Sequence, residues 1–421
     1  MTFTLHVEAE RWRAHASATR DAVRAAISRG AHHPSEGDLV PVAKGNGYGL
    51  GNDRLTREAT RLGLTRIAVG TVFEAAALAP AYDGDILVLG PFEPADTLAA
   101  VAWVELAHSP HADRILRTIS SRAGWDAVAT GPGPVRVVLE ALTSMGRFGL
   151  TDVELTELLD ESATLDALVG DRVRLEGLAL HLPIAQPHVD RSHVPGSRWH
   201  DARVAPVPPA GATPRVHEAI GWGLGWQRAL ADLSERLEAA GAGDALAALT
   251  SAATLWGSHL DDRELSLLRG VLPDITLFAR IGTRLWLGDR GALTARGTVL
   301  AVHDVAKGEA SGYRQRRASR AGAVLVIGGG TTHGVGLAAP SPTASVRQRV
   351  VVAGTGVLDA AGWALSPFHI GGRQRWFAEP PHMHVSLVRV PEGVGLPAVG
   401  DQVDVDVRMT TVRPDLVLGL D

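Results

Sequence analysis

Between about residue 10 and residue 290, short apolar runs alternate with amphipathic stretches of helical period, and this alternation limits the chain to a narrow set of architectures. LVPVAKG (39–45), RIAVGT (66–71), DILVLGP (85–91), VRVVLEAL (135–142), LEGLALHLP (175–183) and DITLFARIG (274–282) read as strands that stop at Gly, Pro or a polar residue. Between them, RLTREATRLGL (54–64), VELTELLDESATLDAL (153–168) and WQRALADLSERLEAA (226–240) read as helices. Strands that alternate with helices build parallel βαβ units. Sustained over this length they predict a (β/α)8 TIM barrel over 10–290, with functional residues at the C-terminal ends of its strands. After RLWLG (284–288) the helical period fades, and LTARGTVLAVHDV, RAGAVLVIGG, QRVVVAGTG, HMHVSLVRV and DQVDVDVRMTTV predict a smaller all-β domain over 291–421, to which residues 1–9 can add a strand. The segments 183–216, rich in Pro, Arg and His, and 338–347 are expected as loops.

Composition narrows the partners. The 421 residues are 45% hydrophobic and 21% charged with a formal net charge of −5, which gives ample core and no electrostatic footprint for nucleic acid or anionic membrane. With no cysteine, disulfides, thiolate catalysis and Cys-ligated metals are excluded. MTFTLHVEAERWR lacks the pattern of a signal peptide, and the weakly polar run 321–340 is broken by a glycine triplet and a histidine, so it reads as strand and turn. The expectation is a cytoplasmic protein acting on a small molecule.

The stretch VPVAKGNGYGLG (40–51) ends an apolar run on Lys44 and continues in backbone nearly bare of side chains, with Tyr48 inside it. One reading is a Gly-rich turn carrying a surface lysine. The other is a lysine held near charges at a strand end, where its amine is neutral and nucleophilic for covalent chemistry with a carbonyl cofactor.

The companions of this stretch favour the second reading. VAKGNGYGLG resembles the V-x-K-A-N-A-Y-G-H-G segment of the alanine racemase family, fold type III enzymes whose lysine forms a Schiff base with pyridoxal 5′-phosphate (PLP). SMGRFG (144–149) is similar to the family's G-M-x-R-x-G, which implies that Arg147 bonds the cofactor's phenolic oxygen and lies near substrate. LALHLP (178–183) places His181 where the family packs a histidine on the pyridine ring, and ALTSAAT (248–254) resembles A-N-S-A-A, implying Ser251 as a phosphate ligand, with Ser258 of GSHL (257–260) as a rival. FARIGTRLWLG (278–288) resembles V-R-P-G-I-x-L-Y-G, implying Arg280 at the pyridine nitrogen and Gly282 and Thr283 at the phosphate. KGEASGYRQ (307–315) resembles K-G-x-x-V-S-Y-G, implying Tyr313 as a second catalytic base. Seven residues before Arg147, where many members carry a carbamylated lysine, stands Glu140, which supplies a negative charge directly. Tyr48 falls on the family's tyrosine beside the lysine and is expected at the cofactor.

Racemisation needs a base on each face of a planar carbanion, because one base would return the proton to the side it left. Lys44 and Tyr313 suit those roles, and an arginine at the pyridine nitrogen keeps that nitrogen unprotonated, favouring proton transfer over decarboxylation. The resemblance implies a homodimer with shared sites. It also breaks in places: the tyrosine of G-Y-A-D-G is absent from VIGGGTTHG (326–334), where Gly329 stands near its place. The S-Y-R-V-P-R tyrosine is replaced near Thr411 in MTTVRPD (409–415), and V-x-M-D-Q reads HMHVS (382–386), with Met383 kept at the substrate carboxylate. The substrate is therefore expected to be other than, or larger than, free alanine. Two other functions stay open at this point: a PLP-binding homeostasis or regulatory protein without turnover, and a PLP-dependent decarboxylase. The bland readings are barrel-end salt bridges for Arg147 and Arg280, a backbone-satisfied core histidine at 181 and a buried β-domain tyrosine at 313. The His and Asp residues of QPHVDRSH (186–193) lack the spacing of a metal site, and no metal is expected.

Overall fold

A computed structural model describes residues 2–28, 37–184, 209–313, 315–336 and 364–420. Two compact units divide the chain: residues 16–44 with 55–285, and residues 1–15 with 45–54 and 286–421. The segment 186–193 and the loop expected over 338–347 lie outside the described residues. No helix among the described residues is long and apolar enough to cross a membrane.

After β1 (Phe3–Val7), which belongs to the second unit, eight strands form one sheet in the first: β2 (Leu39–Pro41), β3 (Arg66–Val69), β4 (Asp85–Val88), β5 (Ile115–Ile119), β6 (Val135–Ala141), β7 (Val173–His181), β8 (Thr254–Ser258) and β9 (Thr276–Ile281). Their order is β2-β9-β8-β7-β6-β5-β4-β3, every pairing is parallel, and a bridge from Val42 to Ala68 joins the two ends. The Ala43 N–H seals the closure by donating to the Ala68 carbonyl at 2.8 Å. Inside, Val40, Val42, Ala68, Leu87, Leu116, Val138, Ala179, Trp256 and Phe278 form one buried cluster drawn from every strand. Two alanines make room there for the Trp256 and Phe278 rings, whose centroids are 4.5 Å apart, so the barrel is filled by side chains.

Two of these strands escape the sequence pattern. β5 carries Arg117 and Thr118, but the Thr118 hydroxyl donates to the Val88 carbonyl at 2.6 Å and the Arg117 guanidinium lies 4.7 Å from the Trp103 ring. β8, TLWGS, is short and holds a glycine. The expected loop over 183–216 is corrected at its end: a helix, Pro214–Ala239, starts there behind a Thr213 N-cap. The stretch 153–168 is two helices, Asp152–Asp160 and Ser162–Val169, parted at the extended residue Glu161.

The second unit is built on β10 (Leu293–Val305), β11 (Ala310–Ser311), β12 (Arg316–Arg317), β13 (Gly322–Gly328), β14 (Leu365–Ile370), β15 (Arg373–Phe377), β16 (Val385–Pro391), β17 (Gln402–Val405) and β18 (Leu416–Leu418). Its main sheet runs β13-β16-β15-β14-β17-β10-β1-β18, and the extra β13–β10 pairing closes an antiparallel barrel. β1 pairs antiparallel with β10 and parallel with β18, so the N-terminal residues supply a strand to this domain. Alternation is visible along β16, whose burial switches at every residue, as a sheet with one solvated face requires.

Candidate active site

The C-terminal ends of the barrel strands gather the charged residues that the sequence singled out. Lys44 lies three residues beyond β2, His181 ends β7, Ser258 ends β8 and Arg280 lies one residue from the end of β9. Register fixes three of them on one rung, because His181 is paired with Ser258 and Ser258 with Arg280. The Leu180 carbonyl accepts from Arg280 Nη2 at 2.9 Å and from the Ser258 hydroxyl at 3.3 Å, which ties β7, β8 and β9 together at this level.

Arg280 is 5% exposed and its Nε has no hydrogen-bond partner among the described residues. Glu140, near the end of β6, is 2% exposed, and its Oε2 is likewise without one. Burial is the largest influence on both. It pushes the Arg280 guanidinium down to about 10 against the pull of Glu140, and it raises the Glu140 carboxyl against the pull of Arg280 and Arg147. The Lys44 amine is lowered by burial first and then by the cations Arg147 and Arg280, with Glu74 acting the other way. Two histidines are held neutral. His181 is pushed down to about 3 and His259 to about 4, in each case by burial first and then by Arg280. Their rings meet edge to face with centroids 5.3 Å apart.

Arg147 sits in an exposed loop that departs from β6 and is closed where Leu142 N–H donates to Leu150 O and Leu150 N–H to Glu140 O, both at 2.8 Å. Two contacts hold the loop's first residues. The Thr143 hydroxyl donates to the His181 carbonyl at 2.5 Å, and the Ser144 hydroxyl donates to the buried Glu218 carboxylate at 2.6 Å. Sequence reasoning missed His259, Thr143, Glu218 and Glu74. Recognising TLWGS as a strand would have placed Ser258 and His259 at the same barrel end as Lys44.

Ser251 is corrected. It lies in a 3-10 turn over Leu249–Ala252 that precedes β8, at the opposite end of that strand from Arg280, and it is exposed beside Arg174 and Glu176. Ser258, 6% exposed, occupies the strand end instead. Gly282 and Thr283 follow β9 immediately.

Tyr48, Tyr313 and Met383 belong to the second unit. Tyr48 is buried in the left-handed region (φ 55°), and beside it Asn46 Nδ2 donates to Met409 O at 2.8 Å and to Val412 O at 2.6 Å, so the glycine-rich segment is anchored to the C-terminal chain. Tyr313 is 86% exposed, which removes the reading of a buried β-domain tyrosine, and Met383 is 64% exposed. Gly329 has φ 121°, and a Cβ there would lie 2.7 Å from the Phe3 ring, so a tyrosine has no room in this backbone.

The sequence is matched over residues 19–203 by the family model described as "Alanine racemase, N-terminal domain". It is 33% identical to the alanine racemase of Geobacillus stearothermophilus over 159 residues, which is 36% of this chain and 37% of that protein. It is 31% identical over 181 residues to the alanine racemase of Levilactobacillus brevis, 40% of this chain and 42% of that one. The chain thus aligns with well under half the length of these relatives. Among solved structures, alanine racemase from Clostridium difficile 630 aligns with TM-score 0.58 at 14% identity, covering 96% of this chain and 86% of that one. The alanine racemase from Bartonella henselae with covalently bound pyridoxal phosphate aligns with TM-score 0.55 at 15% identity, covering 97% and 91%. Over residues 19–203, then, the chain is similar to the N-terminal domain of the alanine racemase family, at a divergent level of identity. A parallel barrel followed by an antiparallel β domain is the fold this chain shares with these solved structures.

Proposed function

We propose that this protein is a PLP-dependent amino-acid racemase or epimerase that works through Lys44 and Tyr313 as two bases. The observation that carries the reading is the barrel-mouth cluster: a lysine with its pKa lowered, placed among two arginines and two neutral histidines at strand ends. This donor set fits the cofactor. Lys44 offers a nucleophilic amine to a carbonyl, and the unpartnered Arg280 Nε offers a buried donor to a ring nitrogen. Arg147 offers a guanidinium to a phenolic oxygen, His181 a neutral ring face, and Ser258, Gly282, Thr283 and Tyr48 polar groups for a phosphate and its surroundings.

When bound, PLP supplies an electron sink that acidifies the α-C–H of an attached amino acid. The Lys44 amine then holds or returns the proton at Cα on one face, and the Tyr313 phenol does so on the other. Arg280 remains a cation at neutral pH, since its pKa stays near 10, and cannot lend the ring nitrogen a proton as an acid would. That selects reversible proton transfer over decarboxylation. Glu140 balances part of the charge of Arg280 and Arg147, and the resemblance assigns Met383 to the substrate carboxylate. The reading extends to a cytoplasmic homodimer in which the β domain of one subunit brings Tyr313 to the barrel of the other. The small residue at 329, where a gate tyrosine is expected, supports a substrate other than or larger than alanine.

The test is solvent-deuterium exchange at Cα over a panel of free and peptide-linked amino acids, with PLP-loaded wild type, Lys44→Ala and Tyr313→Phe. Exchange with inversion in wild type, lost in both variants, is expected. Alanine racemisation above ~10⁴ M⁻¹s⁻¹ would refute the larger substrate. Exchange without inversion would refute the two-base mechanism.

A further inference from the structure

Tyr313 is almost fully exposed, yet the chain invests buried structure in one contact to it. The phenol ring packs on the His382 ring with centroids 4.7 Å apart and planes at 41°. His382 is fixed at both its backbone and its side chain. Its N–H donates to Val385 O at 2.9 Å, and its carbonyl accepts from Thr331 N–H at 2.9 Å. Its Nε2 and Glu379 Oε1 are 2.7 Å apart, a hydrogen bond in which Nε2–H donates to the carboxylate.

Glu379 is 3% exposed, and a carboxylate is costly to bury without a partner. It is admitted because residue 312 has no side chain: a Cβ on Gly312 (φ 78°) would lie 2.4 Å from the carboxylate. The same Gly312 carbonyl accepts from Gln315 N–H at 3.2 Å and from Gln315 Nε2 at 2.9 Å, which folds the backbone tightly around Tyr313. A buried acid, a histidine pinned by it and a glycine cut to admit it all end on one exposed phenol.

We propose that His382, anchored by Glu379, is a positioning residue for Tyr313: it holds the phenol ring in the orientation from which its oxygen exchanges the Cα proton. The proposal rests on Tyr313 as the second base. Within its own chain the phenol is 86% exposed, so the contact with the His382 ring restricts its rotamers and sets the orientation in which the oxygen is presented to the other subunit's barrel.

The experiment uses full-length, PLP-loaded protein labelled with 3-fluorotyrosine. The chain holds three tyrosines, so ¹⁹F NMR gives three signals, and Tyr313→Phe identifies one of them. Glu379→Gln keeps an acceptor for His382 Nε2–H, so the Tyr313 signal and the exchange rates should stay within about twofold of wild type. Glu379→Gln with His382→Ala strands no carboxylate. It should shift and narrow the Tyr313 signal while those of Tyr48 and Tyr82 report an intact fold. Offered each enantiomer of the amino acid that wild type exchanges fastest, this variant should lose about 2–10-fold in Cα exchange from one enantiomer only. Gly312→Ala, whose Cβ would lie 2.4 Å from the Glu379 carboxylate, should reproduce the one-handed loss. An unmoved Tyr313 signal, or an equal loss for both enantiomers, overturns the positioning role. If Tyr313→Phe exchanges both enantiomers as wild type does, Tyr313 is not a base, and the failure lies in the parent reading.

Discussion

Acidification should destabilise the barrel through His181, by an amount the structure sets. The ring is held neutral down to about pH 3 in the fold, against an ordinary value of 6.5. A histidine depressed in this way contributes stability that is fully present above pH 6.5 and is lost as the pH falls toward its folded value. Between pH 7 and pH 5 the unfolded chain takes up most of a proton at this position while the fold takes up almost none, a loss of about 2 kcal/mol. His259, pushed down to about 4, acts in the same direction, but the residue as a whole is exposed although its ring is partly desolvated, so screening by solvent reduces its share to about half that or less. The assay is urea unfolding of the cofactor-free protein at pH 7 and pH 5, followed by the fluorescence of the buried barrel residues Trp125, Trp222, Trp226 and Trp256. His181→Asn should be about 2 kcal/mol less sensitive to the pH change than wild type. Equal sensitivity in the two proteins would show that His181 already titrates near its ordinary value, and that burial and Arg280 do not hold it neutral.

Ser258→Ala should weaken PLP binding by about threefold to tenfold through loss of one hydroxyl contact, while Ser251→Ala at the other end of β8 leaves it unchanged; a fluorescence titration with PLP reads both. Arg269 is fully buried and donates to the carbonyls of Ile27 (2.6 Å), Leu272 (3.0 Å) and Pro273 (3.1 Å), so Arg269→Met should cost about 2–4 kcal/mol in urea unfolding without changing PLP affinity. A loss of affinity with stability intact would contradict that purely structural role.

The barrel was legible because parallel strands buried on both faces read as continuous apolar runs, and Lys44, His181 and Arg280 sit at or beside the ends of such runs. The reading failed at β5 and β8, where Arg117 and Thr118 satisfy their polar ends on neighbours and where a five-residue strand holds a glycine. Missing β8 is what misplaced the serine: without the strand, Ser251 in TSAA looks as plausible as Ser258 in GSHL. His259, Thr143 and Glu218 were invisible for a different reason. Their roles come from contacts across 38 to 78 positions of sequence, such as Thr143 to His181, Ser144 to Glu218 and His181 to His259, which no local pattern encodes. The β domain was recognised from its alternation, but the use of residues 45–54 as part of that unit was not, since the Asn46 amide bonds more than 360 positions along the chain.

Glu140 and Arg280 show what holding this cluster together costs. Opposite charges should lower the acid and raise the base, yet both move the other way because burial outweighs their attraction. A carboxyl raised in the fold contributes stability below its unfolded value of 4.5 and loses it as the pH rises, so at neutral pH the charge on Glu140 is a net cost. Glu140→Gln should therefore leave the cofactor-free protein as stable as wild type or up to about 1 kcal/mol more so at pH 7. The same change removes an anion whose attraction acts on both Arg280 and Arg147, so PLP affinity should fall about tenfold. Stability and binding moving in opposite directions would identify Glu140 as a residue kept for the ligand. A large destabilisation with unchanged affinity would make it an ordinary structural ion pair, and the argument that this barrel end is shaped around a bound cofactor would lose its physical basis.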